Sequence, residues 1–287
     1  MRKSISSLVD TFCEVCYFAI KEMEHNSIIT FLTDFGTKDP YVGIMKGVVL
    51  GITPNCHLID LTHQVRPQNI LQASYLLSVS YPYFPKGTFF VCVIDPGVGT
   101  QRKAVLVKAE GYHFIGPDNG LFGFLNNTPP KTIVHLQNEK YFMRPVSKTF
   151  HGRDIFAPVA AHLATKGEKI IPDLGPTLTH LVEIERFNPI EKPDSIEGTI
   201  VHIDRFGNLI SNIHSRFLKG LTPSDMTIRF MRDDIPLVTT FAEAPEGVPG
   251  ALIGSSSHLE IFVRNGSAEK TLNAKIGEAI HVLKHHG

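Results

Sequence analysis

At 287 residues the chain exceeds the usual length of one domain, so two domains are expected. Its 43% hydrophobic residues are enough for sizeable cores and exclude an intrinsically disordered chain. Lys and Arg (28) balance Asp and Glu (28), so no net field draws the protein to nucleic acid or an anionic membrane, and a small-molecule partner is expected.

Residues 1–26 read as an N-terminal extension. Ile5, Leu8, Val9, Phe12, Cys16 and Ile20 recur at helical spacing, while Asp10 and Glu14 interrupt any continuous apolar run. That pattern predicts a short amphipathic helix rather than a signal peptide, and no stretch approaches the length of a membrane span. Cys13 and Cys16 form a C-x-x-C pair, but no second pair or histidine follows at zinc-binding spacing, so they read as apolar helix positions. A soluble cytoplasmic protein is the expectation.

Residues 27–180 read as an α/β layered domain, a mixed sheet between helices. Strands are expected at 28–32, 57–61 and 88–94, the last apolar almost throughout, as suits a strand covered on both faces. Helices are expected at 41–52, 70–79 and 155–164. A hairpin is expected at 104–108 and 113–115 around Glu110-Gly111. Residues 181–195, rich in Pro and broken by Phe187-Asn188-Pro189, read as a linker. From 196 to 287 six short runs (198–203, 209–213, 226–231, 237–240, 259–264 and 279–283) are separated by turn residues. They predict a small all-β, barrel-like domain.

In open α/β sheets, ligands gather at the carboxyl ends of the strands. Two carboxylates stand there: Asp34 after the first strand and Asp95 after the third. Either alone reads equally well as a helix cap. The loop Asp95-Pro96-Gly97-Val98-Gly99-Thr100 lacks the G-x-G-x-x-G and Walker spacings, so its glycines point to close backbone approach rather than to phosphate binding. Arg102 is near enough for this loop to fold it onto Asp95. His151 lies in Phe150-His151-Gly152-Arg153-Asp154, which opens a helix, and no histidine has a metal-binding spacing. In the second domain, Phe206 of Asp204-Arg205-Phe206-Gly207-Asn208 can stack on a base, and Asn208 can pair with its edge. Ser256 and Ser257 are plausible carboxylate binders. Alternation along 259–264 turns Glu260, suited to an ammonium group, and Arg264 away from the core.

Together these motifs, with Thr33-Asp34-Phe35-Gly36, Pro117-Asp118-Asn119-Gly120 and residues 256–266, resemble the S-adenosylmethionine (SAM) hydroxide adenosyltransferases, relatives of the SAM-dependent fluorinase and chlorinase. The resemblance covers the chain from about Ser27 onward. It implies hydrolysis of SAM to adenosine and methionine with no metal or other cofactor, and an Asp95, Arg102 and His151 set around the attacking water. It also implies that Asp34 holds the ribose hydroxyls and that Phe206 and Asn208 meet the adenine. Asp39, Ser256, Ser257 and Glu260 would fall near the methionine end, and the substrate-binding set extends to Arg264 and Gly266. A homotrimer with each site between subunits is likewise implied. Either Asp95 or His151 can accept the proton.

The alternatives are a SAM-dependent halogenase, a non-catalytic SAM or adenosine sensor, and a metal-dependent hydrolase using Asp34, Asp95 and His151. In the halogenases the position of Asp95 looks like a tyrosine and that of Gly152 a serine. They also carry a long insertion where Val107 and Phe114 are joined here by a short turn. A sensor has no need of Asp95, Arg102 and His151 together.

Overall fold

The computed structural model describes residues 26–285 except 130 and 186. The helix expected within residues 1–26 and the Cys13–Cys16 pair lie outside the described residues.

The first sheet comprises β1 (Ser27–Thr33), β2 (Cys56–Thr62), β3 (Phe89–Val93), β4 (Ala104–Ala109), β5 (Tyr112–Pro117), β6 (Lys131–His135) and β7 (Thr177–Leu178). Its order is β2-β1-β3-β5-β4-β6-β7. The first four strands of that order run parallel, and β4, β6 and β7 pair antiparallel. All five residues of β3 are buried. Phe89, Val91 and Val93 face a core shared with α1 (Tyr41–Ile52) and α3 (Ala157–Lys166), whereas Phe90 and Cys92 face α2 (Ile70–Ser80). Each fully buried Phe contributes roughly 1.5–3 kcal/mol through burial. The chain leaves β1 to place β2 on one side and β3 on the other, so a crevice opens at the carboxyl ends of β1 and β3.

The expected hairpin turns through Glu110 and Gly111, both at positive φ (51° and 81°). Two additions were not anticipated, β6 and β7, which extend the sheet past β4. The third helix is preceded by a π-helical turn, Gly152–Phe156, before regular α-helix begins at Ala157.

The second sheet comprises β8 (Ile190–Glu191), β9 (Ser195–Ile203), β10 (Leu209–His214), β11 (Met226–Phe230), β12 (Asp233–Ile235), β13 (Pro249–Ile253), β14 (His258–Val263) and β15 (Ala279–Lys284). Its order is β12-β11-β15-β9-β10-β14-β13, with β8 on β9. A bridge between Leu237 and Ala251 brings the two ends together, making a nearly closed antiparallel barrel around Ile196, Leu209, Phe230 and Ile261. One expectation is corrected. Residues 237–240 form no strand, because Pro236 ends the ladder after β12 and leaves the single bridge at Leu237. The strand beside β14 is instead β13, which opens on Pro249-Gly250. The segment read as a linker contributes β8. A short helix, α4 (Ala268–Leu272), follows β14, capped by the Ser267 side chain.

Helix α2 joins the two halves. Tyr75, with Leu71, Leu76 and Val79 around it, packs on Val201 of β9 and Ile210 of β10. Among the described residues no helix is long and apolar enough to cross a membrane.

Candidate active site

Asp95 stands directly beyond β3, and the loop to β4 turns back through hydrogen bonds from Val98 N–H to the Asp95 carbonyl (3.2 Å) and from Thr100 N–H to the Gly97 carbonyl (3.1 Å). Gly99 has φ 75°, and a Cβ there would collide with the Lys148 carbonyl, so this loop nests against the segment that carries His151. The return places Arg102 on Asp95. Arg102 Nε donates to Asp95 Oδ1 at 2.8 Å, and Nη2 donates to Oδ2. Only 9% of the Arg102 side chain and 5% of that of Asp95 is exposed, so the pair acts in a desolvated setting where charge is weakly screened. The Arg102 guanidinium also lies 5.5 Å from the Phe156 ring centre.

Arg102 Nη2 lies 2.6 Å from His151 Nδ1. A guanidinium can only donate, so Nδ1 carries the lone pair and the imidazole hydrogen sits on Nε2. Burial first, and Arg102 second, push the His151 pKa below the usual 6.5, which keeps the ring neutral. The neighbouring Phe150 packs edge-on against Phe35 and Tyr41 (5.9 and 5.3 Å), tying the His151 segment to the loop after β1. Buried Asp154 accepts from Ser147 N–H (2.8 Å) and Arg153 Nε (2.6 Å), which fixes the turn from the other side.

Asp34 lies beyond β1, next to β3 in the sheet, and its Oδ2 accepts from Gln68 N–H at 2.7 Å. Burial raises its pKa, nearby Asp95 adds to that rise, and the Gln68 N–H opposes it. Asn119 Nδ2 donates to the carbonyl of Ile94 at 2.9 Å, holding the strand end from which Asp95 projects. Asp39 is exposed in the turn before α1. Gly152 has little space beside it: a Cβ would lie 3.1 Å from Met45 Sδ and 3.3 Å from Val93 Cγ1.

The second-domain residues form a separate group. Asp204 Oδ1 accepts from Phe206 N–H and Asn208 N–H (both 2.9 Å), and its Oδ2 accepts from Asn208 Nδ2 at 3.0 Å. This turn buries Asn208 and leaves Phe206 76% exposed. Arg264 Nη1 donates to the carbonyls of Ala242 and Ala244 (3.2 and 3.3 Å), holding the turn that starts at Phe241. Phe241 was not anticipated. It is exposed and packs edge-on, 4.7 Å between centres, on Phe262 of β14. Nothing in its local sequence distinguishes it from any other turn aromatic. Gly266 is exposed in the turn that follows β14, where its N–H donates to the Val263 carbonyl at 3.1 Å. Among the described residues, no hydrogen bond or ion pair joins this group to Asp95, Arg102 or His151.

Ser256 and Ser257 line a cavity of about 700 Å³ between the two halves, together with Tyr75, Phe124, His214 and His258. Asp95 is not in its wall. The Ser256 hydroxyl is 3.1 Å from Tyr75 Oη of the same chain. Glu260 faces away from the barrel core as expected, its carboxyl lying in space that only a glycine at 254 leaves free. Burial, and then Asp204, raise its pKa to about 7. A carboxyl with a pKa raised above the unfolded value of 4.5 costs stability as pH rises from 4.5 through 7. Glu260→Gln is therefore expected to raise Tm at pH 8 and to change it much less at pH 5. Equal shifts at both pH values in a thermal melt would contradict this.

Comparison with known proteins places both halves. Residues 29–171 match the family model of the SAM hydroxide adenosyltransferase N-terminal domain, and residues 198–281 that of the C-terminal domain. The chain is 37% identical over 265 residues to the (R)-S-adenosyl-L-methionine hydrolase of Thermus thermophilus, spanning 89% of this chain and 99% of that protein. It is 29% identical to a fluorinase of an Actinoplanes species, over 90% of this chain and 98% of the other. A crystal structure of an uncharacterized conserved protein from Thermotoga maritima superposes with a TM-score of 0.81 at 34% identity, covering 89% of this chain and all of that one.

Proposed function

Because this chain belongs to the SAM hydroxide adenosyltransferase family, we propose that it hydrolyses SAM to adenosine and L-methionine at the carboxyl edge of the first sheet. The Thermus thermophilus relative is named for (R)-S-adenosyl-L-methionine, and we take that epimer as the substrate here. The observation that carries this reading is the partly buried Asp95–Arg102–His151 cluster at the crevice between β1 and β3.

With Nδ1 of His151 engaged by Arg102 and Nε2 protonated, the imidazole is a donor, and Asp95 is the proton acceptor. Each Asp95 oxygen accepts one bond from Arg102 and keeps a second lone pair for the water. The water gives a proton to Asp95 as its oxygen bonds to the ribose C5′. The C5′–S bond breaks, and its electron pair stays on sulfur as a neutral thioether. Arg102 supplies the positive charge that favours the forming hydroxide, so no metal or other cofactor is proposed. Holding water, carbon and sulfur in line contributes as much as roughly 7–11 kcal/mol.

Asp34 would take the ribose hydroxyls, with Phe206 and Asn208 on the adenine. Asp39, Ser256, Ser257 and Glu260 would take the methionine end. Exposure of Phe206, away from Asp95, supports a homotrimer in which each site is shared between neighbouring subunits. The free thiols of Cys56 and Cys92 suit a reducing, cytoplasmic location.

The test is to incubate chelator-treated protein with each SAM epimer and separate the products by liquid chromatography. Equal adenosine and methionine, formed faster from the (R) epimer, is the expected result. Bound but uncut SAM would make the protein a sensor, and a 5′-chloro product in chloride buffer would make it a halogenase.

A further inference from the structure

Gln72 lies on α2, is 3% exposed, and makes hydrogen bonds in two directions. The backbone N–H of Arg66 donates to it at 2.8 Å, so that amide atom is Oε1. Its Nε2 therefore donates to His202 Nδ1, at 2.9 Å, which puts the histidine hydrogen on Nε2. One bond leads toward Asp34, assigned to the ribose, and the other toward the turn assigned to the adenine, so with sites shared between subunits Gln72 serves two neighbouring sites.

Arg66 begins the tight turn into α2. Asn69 N–H returns to the Arg66 carbonyl at 3.0 Å, and the Asn69 side chain caps Gln72 N–H at 2.9 Å. Inside that turn Gln68 is held at φ 64°, a conformation that disfavours a non-glycine residue, and this aims its N–H at Asp34. On the other side, His202 lies on β9 two residues before Asp204, the residue that folds the Phe206–Asn208 turn. Tyr75, one helical turn beyond Gln72, stacks on the same His202 ring at 6.0 Å and reaches Ser256. Substituting Gln72 thus disturbs an otherwise unfavourable turn at one end and the seating of the adenine turn at the other.

We propose that Gln72 is a positioning residue for substrate binding: it locks the Gln68 N–H onto Asp34 and fixes the strand that carries the Asp204–Asn208 turn to the first sheet. This rests on the assignment of Asp34 and of that turn to the ribose and adenine. Gln72 touches neither the water nor the reacting carbon, so its effect falls on affinity.

Gln72→Met keeps the volume and removes both bonds. It is expected to raise KM and the calorimetric Kd for SAM about tenfold with kcat within about twofold, the scale of one or two lost hydrogen bonds. Gln72→Glu keeps an acceptor for Arg66 N–H, and His202 meets its other oxygen by moving its hydrogen to Nδ1, so this variant is expected to recover most of the affinity. His202→Phe removes the bond from the other end, and the Gln72→Met/His202→Phe double variant is expected to lose less than the sum of the two. Unchanged affinity in Gln72→Met, equal losses in the Met and Glu variants, or a kcat loss matching that in affinity would overturn the proposal. Wild-type protein that neither binds nor cleaves SAM would instead overturn the functional reading on which it rests.

Discussion

Asp95→Asn is expected to lower kcat by about 10³-fold while leaving the Kd for SAM within about threefold, because it removes the proposed proton acceptor and keeps the shape. The amide still accepts one bond from Arg102 through its oxygen, so the loop from β3 to β4 retains its return. A loss of about 10³ corresponds to about 4 kcal/mol of barrier, within the range for a general base. Single-turnover hydrolysis measured beside calorimetric binding separates the two quantities. A variant with more than a tenth of wild-type kcat would move the base elsewhere. The same variant tests the shared site. Mixed with Phe206→Ala subunits after dissociation and reassembly, it is expected to regain about a quarter of wild-type activity, because random assortment pairs an intact first domain with an intact neighbour in that fraction of sites. No recovery would place the whole site within one chain.

Arg102→Met has the second large effect, on stability as well as activity. It strands the Asp95 carboxylate, whose side chain is 5% exposed, without its counter-charge. Leaving one member of a buried pair costs roughly 3–5 kcal/mol. For a domain of this size that is a Tm decrease of about 6–20 °C. His151 Nδ1 also loses its donor, so the imidazole is free to change tautomer. Asp95→Asn combined with Arg102→Met is expected to melt higher than Arg102→Met alone, since no unpaired charge remains. A melt for Arg102→Met indistinguishable from wild type would mean that solvent reaches the pair and that its field is weaker than argued.

Much of this architecture was legible in local pattern. The continuous apolar run at Phe89–Val93 marks a strand covered on both faces, and the 3.6-residue spacing in Tyr41–Ile52 marks the helix after the first strand. Carboxylates directly beyond β1 and β3 are visible as soon as those strands are, which is why Asp34 and Asp95 stood out. Errors arose where pairing is decided by distant partners. Residues 237–240 have strand-forming types, yet Pro236 breaks their ladder, and β13 exists because Phe262 and Ile261 offer it an edge. Phe262 is buried although alternation places it outward, because the turn from Phe241 to Ala244 covers it.

Residue types, the strand ends on which they stand and the turn chemistry that makes their loops possible can all be read along the chain. The bridge that Arg102 makes from Asp95 to His151 cannot be read that way, because loop closure between residues 49 positions apart is set by the packing of β3, β4 and the turn before α3. The same packing sets the tautomer of His151 and the partners of Gln72. A hydrogen bond depends on distances of a few tenths of an ångström, and the period of a strand or helix carries no such information about residues far apart in the chain.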